Sequence, residues 1–309
     1  MKIAFFGTSD RSIPILNRLN DKFELALCLT KNDTLVGRNQ EVRETAVKTW
    51  AKERNIDHLC LKSLKEEAKD VIRALNKHQI GLGVVADFSF IIPAEIIAVP
   101  KYGLINVHFS QLPKLRGASP VQHAIIQGLT ETGITFYLMD KHMDTGDILL
   151  SLPHPISPAD TSQTLYAKLF DLAAEKLPQV INDYLSGKII PQPQVEAEAT
   201  YCYSDAHPKS TFVFKEDAKI NWRENTNLIE RKIRAFFPWP VAWTILGELA
   251  DNHKLASQIK LKPSAYPNLR VRIISGELEN EKLKIKRLQV EGKKEVDWMS
   301  FINGYAIRQ

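Results

Sequence analysis

"LINVHFSQLPKLRGASPVQHAI" runs from Leu104 to Ile125. It opens on an apolar run of strand length, passes through a turn with Pro, Lys, Arg and Gly, and ends in "PVQHAIIQ", which reads as a helix. Strand, turn and helix together form the repeating piece of a βαβ fold. Asn106 and His108 stand two positions apart near the end of the strand, so both side chains leave it on one face. Ligands of a parallel sheet settle at the carboxyl ends of its strands. An amide and an imidazole at that end therefore face a cleft.

The same alternation extends outward from this stretch. "KIAFFG" reads as a first strand and "RSIPILNRLND" as the helix after it. "FELALCLT", "IDHLCL" and "IGLGVVAD" are further strands, with helical patterns in "EVRETAVKTWAKERN" and "LKEEAKDVIRALNKH" and a short helix or turn at "IIPAEIIAVP". "GITFYLMD" and "DILLSLPHPI" are later strands. Alternating strands and helices predict an α/β fold: parallel βαβ units in a doubly wound, Rossmann-like sheet covered on both faces. Thr161 or Ser162 is placed to cap a long helix that Gly187 ends, with Leu165, Leu169, Leu172 and Leu177 near one face. "KIIPQPQVEAEATYCYSDAHPKS" then breaks the pattern and reads as a linker. Past it, one helix is expected near "NTNLIERKIRAF". "VAWTIL", "LRVRIISGEL", "LKIKRLQVEG" and "WMSFING" alternate like short strands of a smaller, OB-like β-barrel. The expected boundaries are a first domain over 1–189, a linker over 190–206 and a second domain over 207–309.

The chain has 309 residues, 44% hydrophobic and 25% charged, which fits two globular domains or one large one. No apolar run approaches the ~18 residues of a membrane span. Asp10 and Arg11 cut the N-terminal apolar stretch too short for a signal peptide, so a cytoplasmic protein is expected. Cys28, Cys60 and Cys202 are odd in number and far apart, which gives neither a disulfide framework nor a zinc pairing. Cys28 is expected as a buried core thiol. Net charge is +5 and uneven: residues 201–309 hold 19 Lys and Arg against 13 Asp and Glu, whereas residues 1–200 hold 22 against 23. A basic C-terminal third suits a polyanionic partner such as nucleic acid, or else is a solvated basic face.

His108 is able to move a proton at neutral pH, and the Asn106 amide to donate to an oxygen that becomes negative. The pair equally suits a polar tie between strand and loop. "MDKHMDTGDILL", Met139 to Leu150, places acids, a His and a Gly before an apolar strand. There Asp144 is suited to orient and charge His108, while Asp140 and Asp147 suit the capping of turn amides. His108, His142, Asp144 and Asp147 are also metal-ligand types, but they lack a tight ligand spacing. "FFGTSD" holds one Gly, so the dinucleotide fingerprint G-x-G-x-x-G is missing there, and no G-x-S-x-G elbow occurs.

Taken together, these segments resemble the folate-dependent formyltransferases, in particular the branch that acts on initiator Met-tRNA. The resemblance runs in order through "IAFFGTSDRSIPIL", "VVADFSFIIP", "INVHFSQLPKLRGASPVQHAI", "TGITFYLMDKHMDTGDIL", "EDAKINW" and "LIERKIRAFFPWPVAW". It implies Asn106, His108 and Asp144 as the catalytic trio, with no metal. It implies 10-formyltetrahydrofolate as co-substrate, held by the loop of Phe88, Ser89, Phe90 and Ile91 and by Ser110, Gln111, Leu112 and Pro113. It implies initiator Met-tRNA as partner, with Arg38, Arg43, Arg234, Lys284, Lys286 and Arg287 as candidate contacts. A monomer is expected because no strongly apolar exposed face is evident, and no membrane is engaged because no apolar run is long enough. The chain departs from the family where Glu41 and Glu44 dilute the basic loop after the second strand, where Ser89 replaces a usual Gly, and where Leu115 replaces a usual Trp. A sugar-nucleotide N-formyltransferase would carry the same trio, and a binding protein that has lost catalysis is a third reading.

Overall fold

The computed structural model describes residues 1–36, 41–204, 206–250 and 268–305. They fall into two compact units. The first holds Met1–Arg116, Thr132–His154 and Tyr166–Thr200; the second holds Gly117–Glu131, Pro155–Leu165 and the chain from Tyr201.

The first unit is built from β1 (Lys2–Phe6), α1 (Ile13–Lys22), β2 (Glu24–Lys31), β3 (Thr34–Val36), β4 (Glu41–Arg43), α2 (Ala46–Glu53), β5 (His58–Leu61), α3 (Ala68–Lys77), β6 (Ile80–Val85), α4 (Ala94–Ile97) and β7 (Leu104–His108). After α5 (Pro120–Gln127), which belongs to the second unit, come β8 (Glu131–Leu138), β9 (Ile148–Pro155) and α6 (Ser162–Leu185). Seven strands pair in the order β5-β2-β1-β6-β7-β8-β9. From β5 to β7 they are parallel, as the alternating pattern predicts. β8 runs antiparallel to β7, so the sheet is mixed rather than wholly parallel. A parallel return needs a helix crossing a sheet face. The one helix between β7 and β8 packs in the other unit, and the chain comes back the opposite way.

β1 lies between β2 and β6, so the winding direction reverses between β1 and β6. Loops after β1 and β6 therefore open at the switch point, where such sheets bind ligands, and the loop after β7 lies beside them. β1 is fully buried from Ile3 to Phe6 and packs Phe6 with Leu27, Leu29, Val71, Leu75, Ile96 and Leu104. Cys28 on β2 is fully buried, and burial pushes its thiol up to about 12.

Local chemistry sets the helix limits. Helical periodicity in "EVRETAVKTWAKERN" overstates α2: Glu41–Arg43 pair with Thr34–Val36 as a hairpin. The helix starts after Thr45, whose Oγ1 accepts from the Lys48 N–H at 3.2 Å. At the start of α6, Thr161 and Thr164 each take the other's backbone N–H on Oγ1, at 3.2 and 3.0 Å, a reciprocal cap. Leu165, Leu169 and Leu177 are buried along it, and Leu172 is half-buried. The Pro- and Gln-rich stretch beyond is tied to the first unit: Ile148 and Gln192 exchange backbone hydrogen bonds of 2.7 and 2.9 Å.

The second unit adds α7 (Thr226–Ala235), β10 (Trp243–Ile245), α8 (Leu246–Ala250), β11 (Arg270–Glu279), β12 (Lys282–Val290), β13 (Glu295–Asp297) and α9 (Trp298–Tyr305). β10 to β13 form an antiparallel sheet in chain order, over a core of Ile229, Ile233, Val271, Ile273, Ile285, Leu288 and Phe301. Among the described residues this sheet is open, with β10 and β13 at its edges. "WMSFING" is a helix and not the expected strand. Asp297 accepts from the Ser300 N–H at 2.8 Å and from its hydroxyl at 2.9 Å, which fixes a helix start. α5 ends at Gly128, φ 74°, where a Cβ would overlap the Arg231 side chain. Among the described residues no helix is long and apolar enough to cross a membrane.

Candidate active site

β7 carries Asn106 and His108 on one face, and the antiparallel register sets Tyr137 of β8 opposite Asn106 and Thr135 opposite His108. Asn106 Nδ2 donates to Tyr137 Oη at 2.9 Å, and Tyr137 Oη donates to Asp144 Oδ1 at 2.8 Å. The other carboxylate oxygen, Oδ2, lies 3.6 Å from His108 Nδ1, an ion-pair separation. His108 Nε2 is 3.0 Å from the Leu115 carbonyl. A carbonyl only accepts, so Nε2 donates the hydrogen there, and a neutral ring presents the Nδ1 lone pair. The imidazolium formed there would rest against the Asp144 carboxylate. His108, Tyr137 and Asp144 are buried and Asn106 is half-buried. Burial, reinforced by the charge of Asp144, holds the Tyr137 phenol well above its ordinary value, so it stays protonated.

Asp144 adopts a left-handed backbone, φ 57°, which Asp tolerates better than most residues. Its loop is held from below. Gln194 Nε2 donates to the carbonyls of Asp144 and Gly146, at 2.9 and 2.8 Å. The fully buried Arg116 donates to Gln194 Oε1 at 3.2 and 2.9 Å and bridges both Glu196 oxygens at 3.0 and 2.8 Å. Gly146 is required by its close neighbours: a Cβ there would run into the Leu138 carbonyl. Asp140 caps the loop as expected, accepting from the His142 N–H at 3.0 Å. The segment after β7 is pinned to β8 by Thr135, which accepts from the Leu112 N–H at 3.1 Å and donates to the Ser110 carbonyl at 2.7 Å.

The residues expected to hold the co-substrate lie on loops that leave the ends of β6 and β7. Phe88 packs edge-on to Phe6 and Phe90, and both rings lie partly buried against the first-unit core. Ser89 and Ile91 are exposed, Ile91 at 79%. Ser89 N–H donates to Thr8 Oγ1 at 3.2 Å, which ties this loop to the one after β1. Ser110 is buried with its hydroxyl on the Lys114 carbonyl, Gln111 donates to the Thr132 carbonyl at 2.8 Å, Leu112 is buried and Pro113 half-buried.

The candidate tRNA contacts are divided between the two units. Arg38 lies outside the described residues. Arg43 is exposed on β4 of the first unit. Arg234, Lys284, Lys286 and Arg287 belong to the second. Arg234 is engaged internally: it pairs with Glu230 at 2.6 Å and donates to the Asp160 carbonyl at 2.8 Å, its side chain 15% exposed. Lys284, Lys286 and Arg287 project from β12 in solvent-exposed pairs with Glu279, Glu277 and Glu295. Sequence reading overlooked Tyr137, Gln194 and Arg116. The one signal for Tyr137 was a hydroxyl in an apolar strand; the other two sit in a turn and a Pro- and Gln-rich stretch.

An amide donor and a proton-exchanging imidazole on one strand face suit the transfer of a carbonyl carbon to a nucleophile. That defines the class as an acyl-group transferase, and the comparisons narrow it. Residues 1–181 match the family described as formyl transferase, and residues 213–306 match the formyl transferase C-terminal domain. A methionyl-tRNA formyltransferase of Geobacillus sp. (strain WCH70) is 33% identical over 98% of this chain and 94% of its own length. The chain belongs to the formyl transferase family, among the methionyl-tRNA formyltransferases. In fold it is similar to the methionyl-tRNA formyltransferase from Clostridium thermocellum, with a TM-score of 0.60 and 18% identity over 94% of this chain and 98% of that one. It is also similar to a sugar 3N-formyl transferase crystallised in the presence of dTDP and 5-N-formyl-THF, with a TM-score of 0.59 and 20% identity over 100% of this chain and 98% of that one.

Proposed function

We propose that this protein transfers the formyl group of 10-formyltetrahydrofolate to the amino group of methionine on initiator Met-tRNA, to serve translation initiation. The observation that carries this reading is likeness to methionyl-tRNA formyltransferases through both parts of the chain, with the Asn106–Tyr137–Asp144–His108 cluster spanning β7 and β8. A sugar-nucleotide substrate is the alternative, and likeness to a sugar enzyme at 20% identity speaks to fold alone.

Residues 1–189 act as the catalytic domain, 190–206 as the connection and 207–309 as the tRNA-binding domain, its antiparallel sheet forming part of an OB-like barrel. The protein works as a monomer in the cytoplasm. The lining proposed for the folate fits a flat, partly polar molecule: aromatic and apolar side chains at Phe88, Phe90, Ile91, Leu112 and Pro113, with backbone amides and carbonyls between them. When bound, the folate supplies the formyl carbon. Asn106 donates to the formyl oxygen as it gains charge. His108 takes the amine proton at Nδ1, Asp144 holds the imidazolium, and the proton is then available to the departing nitrogen. Basic side chains of the second unit meet the phosphates of the tRNA.

The test is formyl transfer from 10-formyltetrahydrofolate to initiator Met-tRNA, with elongator Met-tRNA and a 4-amino-sugar nucleotide in parallel. Product on the initiator alone is expected. Product on the sugar alone would keep the chemistry of Asn106, His108 and Asp144 and overturn the substrate.

A further inference from the structure

We propose that Tyr137 is a positioning residue: its hydroxyl decides which end of the Asn106 amide acts in the reaction, and it does so under the direction of Asp144. The inference rests on the formyl-transfer reading above.

The argument is one of donor counting. A tyrosine hydroxyl has one hydrogen to give and lone pairs to receive. Tyr137 Oη stands between the Asp144 carboxylate, at 2.8 Å, and the Asn106 amide, at 2.9 Å. An ionised carboxylate has no hydrogen, so the phenol's goes to Asp144. Oη is then able only to accept from Asn106. The amide must present nitrogen to the phenol, because its oxygen there would set two acceptors against each other in a buried place. The same nitrogen carries a second N–H, and that one is left to meet an oxyanion. Without the phenol the amide is able to turn by half a revolution and offer an oxygen where charge develops.

The surroundings support a fixed role for this ring. Tyr137 is 1% exposed and lies opposite Asn106 in the β7–β8 register, so backbone pairing sets its position. Asp144 is fixed in turn by the two hydrogen bonds of Gln194 to its loop. The order Gln194, Asp144, Tyr137, Asn106 thus runs from scaffold to reacting group, and each member constrains the next.

The experiment is steady-state formyl transfer by Tyr137→Phe, which keeps the ring and removes only the hydroxyl. The expected result is a kcat lower by about 10- to 100-fold, short of the ~10²–10³ for deleting an oxyanion donor, with KM for formylfolate and Met-tRNA within about threefold and an unchanged circular dichroism spectrum. In an Asn106→Ala background the same change should cost less than about twofold, since coupled residues are not additive. An unaltered kcat, a loss confined to KM, or full multiplicative losses in the double variant would each overturn the proposal. Should Tyr137→Phe not fold, nitrogen-15 NMR of the wild-type Asn106 side-chain amide decides, with Asn106→Ala identifying the signals. One NH2 proton shifted and protected from exchange relative to its geminal partner supports a fixed amide; two protons with unstructured-chain shifts and equally fast exchange with water overturn it. If the wild-type protein formylates no Met-tRNA, the functional reading falls, and the NMR result still decides the orientation of Asn106.

Discussion

Asp144 holds its carboxylate between a phenol and an imidazole, while Asn106, one strand away, reaches the same phenol. Each of these groups does something the others cannot. Only the amide offers a donor that stays in place without giving up its hydrogen, and only the imidazole has one ring nitrogen that donates and another that accepts. Asn106→Ala is therefore expected to lower kcat by ~10²–10³ and to leave KM for formylfolate within about threefold; steady-state kinetics against both substrates would reveal a purely structural role as a loss of folded protein instead. Asn106 and His108 were legible in the sequence because a two-residue spacing puts side chains on one face of a strand whatever its neighbours. Asp144 was legible as an acid in a turn before a strand. Tyr137 was not, because its partner is set by the pairing of β7 with β8, and register is a property of two strands.

The elements around the site explain how such groups stay in place. Gln194 belongs to a stretch whose Pro and Gln content reads as a linker, yet its amide carries two carbonyls of the Asp144 loop. Gln194→Ala should destabilise the first unit by about 1–3 kcal/mol, through carbonyls left without that donor, and should lower kcat more than KM. Chemical denaturation and kinetics on the same samples would separate the two effects. In the second unit, α5 carries the buried His123, which burial holds below its ordinary pKa despite the opposing charge of Asp217. A depressed folded-state pKa means that the unfolded chain takes up the proton first as pH falls. This stability is complete above the unfolded value of ~6.5 and declines as pH drops through it toward the lower folded value. Replacing His123 with Gln should flatten the melting temperature between about pH 7 and 5; an equally steep decline in the variant would remove His123 as its source. Helix α9 was misread for a related reason. Alternation in "WMSFING" suggests a strand, but Asp297 caps the segment locally and Phe301 faces the core of the second unit.

For the chain as a whole, charge is unevenly spread. Net charge is −1 over residues 1–200 and +6 over 201–309. Lys284 and Lys286 sit in exposed pairs with glutamates, a kind of interaction worth about 0–1 kcal/mol, so exchanging that carboxylate for a phosphate would cost little. KM for Met-tRNA should rise steeply with salt while KM for formylfolate stays nearly flat, and Lys284→Gln with Lys286→Gln should reduce the salt slope by about one for each phosphate no longer neutralised. A slope unchanged by both substitutions would place the tRNA elsewhere on the protein. By itself the sequence determined the α/β class, the strands β1, β2, β5, β6 and β7, the start of α6 at Thr161, the placing of Asn106 and His108 on one face of a strand, and the basic C-terminal third. These follow from periodicity, local hydrogen bonding and charge, all of which act between near neighbours in the chain. Tertiary structure alone decided that β8 turns antiparallel, that Gln194 and Arg116 hold the Asp144 loop, and that Tyr137 joins Asn106 to Asp144. Those pairings span 7 to 78 residues of chain, and distances along the sequence do not fix which distant groups packing brings together.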